Sequence, residues 1–156
     1  MNGACEAIKE PVQEIFRKFA FLDIELRSTK QEFVKSWSLC TRVRCGEKDE
    51  FLVLLMASPE LAVSVTNNFL GIDGGSRPGQ RIDIVSELTN VLAGKAYEIL
   101  RAGAKPTTIC TPELLESVEA SGIWNMVPTE CRFAICSEND LLGGLMIFAK
   151  SEWSRP

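Results

Sequence analysis

The chain has 156 residues, 46% of them hydrophobic and 24% charged, a balance typical of a single globular domain, here residues 1–156, and not of a disordered or fibrous chain. A net charge of −4 argues against a nucleic-acid-binding module. The absence of histidine excludes catalytic pairs, zinc sites and proton shuttles that are built on histidine. Neither a secretory signal nor an apolar run of the roughly 20 residues that cross a bilayer is recognisable, so we expect a cytoplasmic protein that binds neither nucleic acid nor membrane.

The first predicted elements are a helix and a β-hairpin. Apolar side chains recur at helical spacing over residues 4–20, and Pro11 requires either a late start or a local kink of this helix. Residues 35–45 alternate between apolar and polar side chains and are followed by the polar turn 46–49 and an apolar segment over 50–57, a pattern typical of two paired strands. The strand face expected to be buried comprises Trp37, Leu39, Thr41 and Val43.

A second helix and a glycine-rich loop are predicted next. Ser58 is a good N-cap residue and Pro59 suits the first helical position, so a helix should begin here and end before Gly71. Residues 71–80 contain four glycines and a proline and should form a mobile loop without regular structure. This loop lacks the Gly-Lys-Ser/Thr ending of a phosphate-binding loop, which argues against a phosphate-cradling role. The expected core face of the second helix is Leu61, Val65 and Leu70.

The strongest helical pattern of the sequence runs from Asp83 to about Arg101, where apolar side chains line one side. Gly103 and Pro106 should end this helix. The residues expected to be buried along it are Ile84, Val85, Leu88, Leu92, Ala96 and Ile99.

Three strands are expected after this helix, over residues 106–111, 129–136 and 142–150. The polar turn 137–140 should join the last two. Because strands at both ends of the sequence surround the helices, the pattern indicates an α+β fold, in which an antiparallel or mixed sheet has long helices packed on one face.

The side of the third helix opposite its apolar face carries a stripe of residues at alternating steps of four and three. Within it, Glu87 and Asn90 differ by about 60° around the helix axis and by about 4.5 Å along it, so both side chains can enter one small target site. A glycine inside a helix costs up to about 1 kcal/mol relative to alanine, so Gly94 suggests that another backbone approaches there. The whole stripe is Asp83, Glu87, Asn90, Gly94, Tyr97 and Arg101.

The segment Ser-Glu-Leu-Thr-Asn-Val-Leu-Ala-Gly-Lys-Ala over residues 86–96 resembles the signature helix of the CheC/CheX/FliY phosphatases of bacterial chemotaxis, which carries Glu-x-x-Asn followed by a glycine. The match is closest to the CheX type. The resemblance also covers the overall length, the opening helix, the hairpin, the helix begun by Ser-Pro-Glu and the final strand pair.

The sequence departs from this family pattern in three places. Val91 stands where relatives commonly have methionine, a change that we expect to face the core. The hairpin turn at residues 47–50 is charged, and the loop 71–80 is long. CheC-type members carry two such motifs, whereas the opening helix here offers only Glu10-Pro11-Val12-Gln13, which we interpret as a coincidence.

The resemblance implies a phosphatase that hydrolyses the aspartyl phosphate of a phosphorylated CheY-like response regulator, and relatives imply a homodimer. Asn90 would orient a water for in-line attack and Glu87 would pair with a lysine of the regulator. The regulator would supply the Mg²⁺, so no cofactor of the chain's own is expected. Asp83 should cap the helix or complement its dipole, whereas Tyr97 and Arg101 should line the docking surface. The alternative is a non-catalytic adaptor of the same fold that binds a response regulator or a flagellar-switch protein.

Six cysteines raise a third hypothesis, a thiol-dependent redox or metal protein. Cys40 and Cys45, like Cys131 and Cys136, are separated by an odd number of residues within predicted strands, so each pair points to opposite faces and neither forms a ready chelate. We therefore expect reduced, mostly buried cysteines without a metal.

Overall fold

The computed structural model describes residues 2–30, 37–45, 51–100, 109–126 and 131–149, and these ranges contain four helices and six strands. None of the described helices is both long and apolar enough to pass through a membrane. In chain order the elements are α1 (Asn2–Ala20), β1 (Glu25–Ser28), β2 (Leu39–Cys45), β3 (Phe51–Ala57), α2 (Pro59–Leu70), α3 (Pro78–Leu100), β4 (Glu113–Leu115), α4 (Ser117–Met126), β5 (Arg132–Ser137) and β6 (Asp140–Ala149).

The described strands form one sheet in the order β1-β5-β6-β3-β2-β4, and every pairing between neighbours is antiparallel. β3 is a central strand, in which Val53 is paired with Val43 of β2 on one side and with Ile147 of β6 on the other. All side chains of β3 except that of Leu52 are buried. The structure therefore confirms the predicted α+β fold and shows that its sheet is antiparallel.

The long helices α1, α2 and α3 pack on one face of this sheet, as predicted. Phe16 of α1, Val65 of α2 and Leu92 of α3 belong to the same core cluster. The opposite face carries a smaller cluster around Trp124 of α4. The sequence does not predict α4, because its buried side chains are only Ala120 and Trp124, too few to give a helical period.

Three details of the first half of the chain differ from the prediction. Helix α1 begins at Asn2 and contains Pro11 in its interior, so a late start is wrong. Trp37 lies before the first residue of β2, so the alternation of side chains along a strand does not determine which face it occupies. Its side chain belongs to the cluster around Trp124, on the face of the sheet opposite to the predicted one. Leu70 is 38% exposed, because five residues from Val65 correspond to a rotation of about 140° around the helix.

The start of α3 also differs from the prediction, because the helix begins at Pro78 and residues 78–80 of the predicted loop are helical. Proline is favourable at the first helical position. The side chain of Gln80 accepts a hydrogen bond of 2.8 Å from the backbone N–H of Arg77, which satisfies a donor at the helix entrance. Asp83 consequently lies inside the helix and does not cap it.

The strands after α3 match the prediction in part. The predicted strand over residues 106–111 is wrong where the structure describes it, because residues 109–111 contain only an isolated bridge and the strand is β4, which pairs with β2. β5 and β6 lie close to their predicted positions. The turn 46–49 and the predicted helix stops Gly103 and Pro106 lie outside the described residues.

Two features hold neighbouring strands of the sheet together: hydrogen bonds between β4 and β2, and a glycine in β6. Glu113 of β4 accepts hydrogen bonds of 2.9 Å from Arg42 and 2.6 Å from Arg44 of β2, and the bond from Arg42, together with that from Arg44, lowers the pKa of Glu113 below its ordinary value. A Cβ atom on Gly143 of β6 would overlap the carbonyl oxygen of Met56. Glycine at this position therefore allows β6 to approach β3.

The expectation that the cysteines are reduced is wrong for one pair, since a disulfide joins Cys5 of α1 to Cys131, the residue before β5. The argument from odd spacing applied only to cysteines within the same predicted strand. Cys5 and Cys131 are 126 residues apart in sequence and meet because α1 packs on the sheet. Cys40, Cys110 and Cys136 are free thiols. Burial raises the pKa of Cys40 to about 11, which makes it a poor nucleophile.

Candidate functional site

Helix α3 is the element that carries the candidate site, and it packs against α1, α2, β2 and β3. Ile84 and Ile99, predicted to be buried, are only partly buried at the edge of the core. Thr89 was not predicted to be buried but is. The buried residues of the helix are Val85, Leu88, Thr89, Leu92, Ala93 and Ala96.

Glu87 and Asn90 lie on the outer side of α3, three residues apart. Glu87 is exposed and Asn90 is half-buried. Neither side chain forms a hydrogen bond or an ion pair with the described part of the chain. A carboxylate and a neutral amide are thus both available to an approaching partner, at the spacing that the sequence predicts.

The buried Thr89 anchors the turn of α3 that carries these two residues. Its hydroxyl donates a hydrogen bond of 2.8 Å to the carbonyl oxygen of Val85 and accepts one from the hydroxyl of Thr41 on β2, 2.5 Å away. Both threonines are fully buried, so this contact fixes the helix against the sheet directly behind Asn90. The sequence signal was available, because a polar residue on the apolar side of an amphipathic helix needs a partner in the core.

A groove of about 850 Å³ lies between α1 and α3, and Val91, the residue after Asn90, is part of its lining. We call it the α1–α3 groove; Pro11, Ile15 and Phe19 of α1 and Val91 of α3 form its apolar lining. Val91 is 37% exposed, so the expectation that it faces the core is wrong.

Gly94 also lines the α1–α3 groove. A Cβ atom built on it would meet only Cδ1 of Ile109, at 3.8 Å, an ordinary van der Waals contact. The expectation that another backbone segment approaches Gly94 is therefore wrong for the residues that the structure describes. The depression that this glycine leaves is open to an external molecule.

Of the other residues of the stripe that the structure describes, Tyr97 does not join the site. Asp83 is exposed in the first part of α3. The half-buried ring of Tyr97 packs edge-on against Phe51, with ring centroids 5.6 Å apart, so it faces the core and not a docking surface. Arg101 lies outside the described residues.

Solved structures share this fold at low sequence identity. CheX from Desulfovibrio desulfuricans is 14% identical, with a TM-score of 0.70 over 94% of this chain and 99% of that chain. The chain has the CheX fold. A chain of the CheX–CheY–BeF3–Mg²⁺ complex from Borrelia burgdorferi is 10% identical and matches with a TM-score of 0.61 over 91% of this chain and 94% of that one.

The CheX fold extends to proteins of other names. A chain of the FliM–SpeE complex from Helicobacter pylori is 9% identical, with a TM-score of 0.61 over 94% of this chain and 84% of that chain. CheC-like proteins from Shewanella and FliY from Thermotoga maritima also match. No protein-family model and no curated protein matches the sequence.

Within this CheX fold, the opening helix uses its Glu-x-x-Gln segment for structure. The side-chain oxygen of Gln13 accepts a hydrogen bond of 3.0 Å from the backbone N–H of Leu26 in β1. Its amide nitrogen donates one of 3.4 Å to Glu10. The amide of Gln13 thus holds α1 to the edge of the sheet, a role that differs from that of the outward-facing Asn90.

Proposed function

We propose that this protein is a phosphatase that hydrolyses the aspartyl phosphate of a CheY-like response regulator. The observation that carries the proposal is the pair Glu87 and Asn90, unengaged by the described residues and presented by a helix that Thr89 anchors from behind. The fold shared with a CheX–CheY complex supports it. BeF3, which that complex contains, is a chemical mimic of a phosphoryl group, the species that the pair would face.

In the proposed reaction, water attacks the phosphorus atom, the bond between phosphorus and the aspartyl oxygen breaks, and inorganic phosphate and an aspartate carboxylate are released. Asn90 accepts a hydrogen bond from the water and aligns it with the bond that breaks. A neutral amide suits this position, because a carboxylate would repel the phosphoryl oxygens. The regulator brings Mg²⁺ that neutralises charge on those oxygens, so the chain needs no metal of its own.

Glu87 has a separate role in the proposal. Its carboxylate pairs with a lysine of the regulator, which fixes the docking geometry and removes a contact that stabilises the phosphorylated aspartate. Positioning can supply roughly 7–11 kcal/mol of barrier reduction, of which one oriented water should provide a few. We therefore expect a modest acceleration over spontaneous hydrolysis.

The test is the rate of phosphate loss from a purified phosphorylated CheY-like regulator of the same genome, with Mg²⁺ present. We expect the wild-type protein to accelerate the loss and Asn90→Ala to return it to the spontaneous rate. Asn125→Ala is the matched control, because Asn125 is an exposed helical asparagine on α4, across the sheet, and should retain full activity. Full activity of a folded Asn90→Ala variant would refute the mechanism.

A second candidate function is a non-catalytic adaptor of the same fold, which the match to a chain of the FliM–SpeE complex favours. An adaptor would bind the regulator or a flagellar-switch protein and leave the phosphate lifetime unchanged. Binding of the regulator without faster hydrolysis, in the same experiment, would support this candidate over the phosphatase.

The proposed assembly is a homodimer, as the family resemblance implies. Size-exclusion chromatography with light scattering tests it. A mass near twice the 17.3 kDa of the chain is expected, and a monomer at micromolar concentration would contradict it.

A further inference from the structure

The α1–α3 groove adjoins the candidate site along α3. Val91, which lines the groove, directly follows Asn90 in α3, and Gly94 belongs both to the groove and to the stripe that carries Glu87 and Asn90. A molecule that reaches Asn90 along α3 therefore also meets the mouth of the groove.

The area needed for a specific complex favours contact with this groove. A stable protein–protein interface buries about 800 Å² on each partner, which two side chains such as Glu87 and Asn90 cannot provide. The partner must cover adjoining surface, and the groove offers apolar side chains in a concave arrangement beside the pair. Recessed apolar surface of this kind supplies most of the energy in protein interfaces.

The charges around the groove indicate the chemistry of the occupant. The Nζ atom of Lys18 lies 3.2 Å from Oε1 of Glu14, and that of Lys95 lies 3.5 Å from Oε1 of Glu98. These charges on the rim of the groove are therefore paired within the chain. Glu10 accepts only a hydrogen bond from an amide and forms no ion pair with any residue that the structure describes. The complementary surface therefore combines an apolar side chain with a neighbouring basic residue.

We propose that the α1–α3 groove is the docking surface for the response regulator. The regulator inserts an apolar side chain between α1 and α3 and places a basic residue near Glu10, while its phosphoryl group faces Asn90. This inference rests on the proposed function, because the occupant is the molecule on which Glu87 and Asn90 act. The groove provides affinity for the regulator, and Glu87 and Asn90 carry out the hydrolysis.

The test compares the dissociation constant for the regulator charged with BeF3 and Mg²⁺ across three variants. Val91→Lys places an amine in the apolar lining and should raise Kd about tenfold or more. Glu10→Gln should raise Kd severalfold at low salt, and less at high salt, because it removes one charge. The control Val118→Lys changes an exposed valine of α4, across the sheet, and should leave both Kd and hydrolysis at the wild-type values.

Failure of this inference is distinguishable from failure of the proposed function. Unchanged Kd for Val91→Lys, with Asn90→Ala still inactive in hydrolysis, overturns the groove and retains the phosphatase. A raised Kd for Val91→Lys, with no hydrolysis by the wild-type protein, retains the groove and overturns the phosphatase. If Val91→Lys changes the oligomeric state but not the Kd for the regulator, the groove is a contact with a second copy of the chain and the inference is overturned. Absence of regulator binding by the wild-type protein also overturns it.

Discussion

The disulfide between Cys5 and Cys131 leads to a prediction about stability that is independent of function. The bond connects α1 to the residue before β5 and closes a loop of 126 residues. The chain-entropy model assigns about 5 kcal/mol at 25 °C to closing a loop of this length. Because domains of this kind are stable by only about 5–15 kcal/mol, reduction should remove from about a third to all of the free energy of unfolding.

The assay is urea unfolding of the protein refolded with or without a reductant. Both sulfurs belong to buried residues, so the bond must be reduced in the unfolded chain. With a typical slope of about 2 kcal/mol per molar urea, reduction should lower the midpoint by about 2.5 M. Thiol titration in denaturant should detect two more thiols after reduction.

The double variant Cys5→Ala/Cys131→Ala is the control for effects of the reductant on the other cysteines. Its midpoint should not depend on the reductant. Coincident midpoints of the oxidised and reduced wild-type protein, with two thiols gained on reduction, would refute the assignment of this stabilisation to the bond.

Three further predictions concern the sheet and the anchor of α3. Gly143→Ala should lower the free energy of unfolding by about 3 kcal/mol or more, measured with urea, because the new methyl group overlaps a backbone oxygen. Thr89→Val should cost about 1–3 kcal/mol by leaving the hydroxyl of Thr41 without its partner, and adding Thr41→Val should recover part of this loss; full additivity of the two changes would contradict the contact. Hydrogen bonds from Arg42, the larger effect, and from Arg44 lower the pKa of Glu113. These bonds therefore stabilise the fold fully at pH values above the ordinary carboxyl pKa of about 4.3, and their contribution is lost as the pH falls through the lowered pKa. Glu113→Gln should therefore be less stable than the wild type at pH 7, by at most about 1 kcal/mol because the group is partly screened by solvent, and equally stable in acid; a constant difference in urea midpoint would contradict this.

Local patterns predicted much of this fold. Apolar periodicity indicated α1, α2, α3 and the strands of the two hairpins, and Ser58 caps α2 as its side chain suggests, accepting a hydrogen bond of 3.2 Å from Leu61. The features that were missed depend on the packing of distant segments. Helix α4 buries too few side chains to show a period, and the proximity of Cys5 to Cys131 arises only when α1 lies on the sheet.

The candidate site was predictable to a similar extent. Helical geometry alone places Glu87 and Asn90 on one side of α3. The exposure of Val91 was not predictable, because it depends on where α1 lies relative to α3 and thus on which side of the helix remains open. The early start of α3 at Pro78 was missed because the glycines before it suggested a loop.

The pairing of β3 with β6 has a consequence for synthesis of the protein. At the centre of the sheet, residues 51–57 of β3 pair with residues 143–149 of β6. A nascent chain therefore cannot form this central strand pair until residue 149 has left the ribosome. Until then β3, whose seven side chains are all apolar, presents an unpaired edge that can associate with other chains. Translation that stops before β6 should therefore yield aggregated chains that require chaperones, and not a partly folded domain.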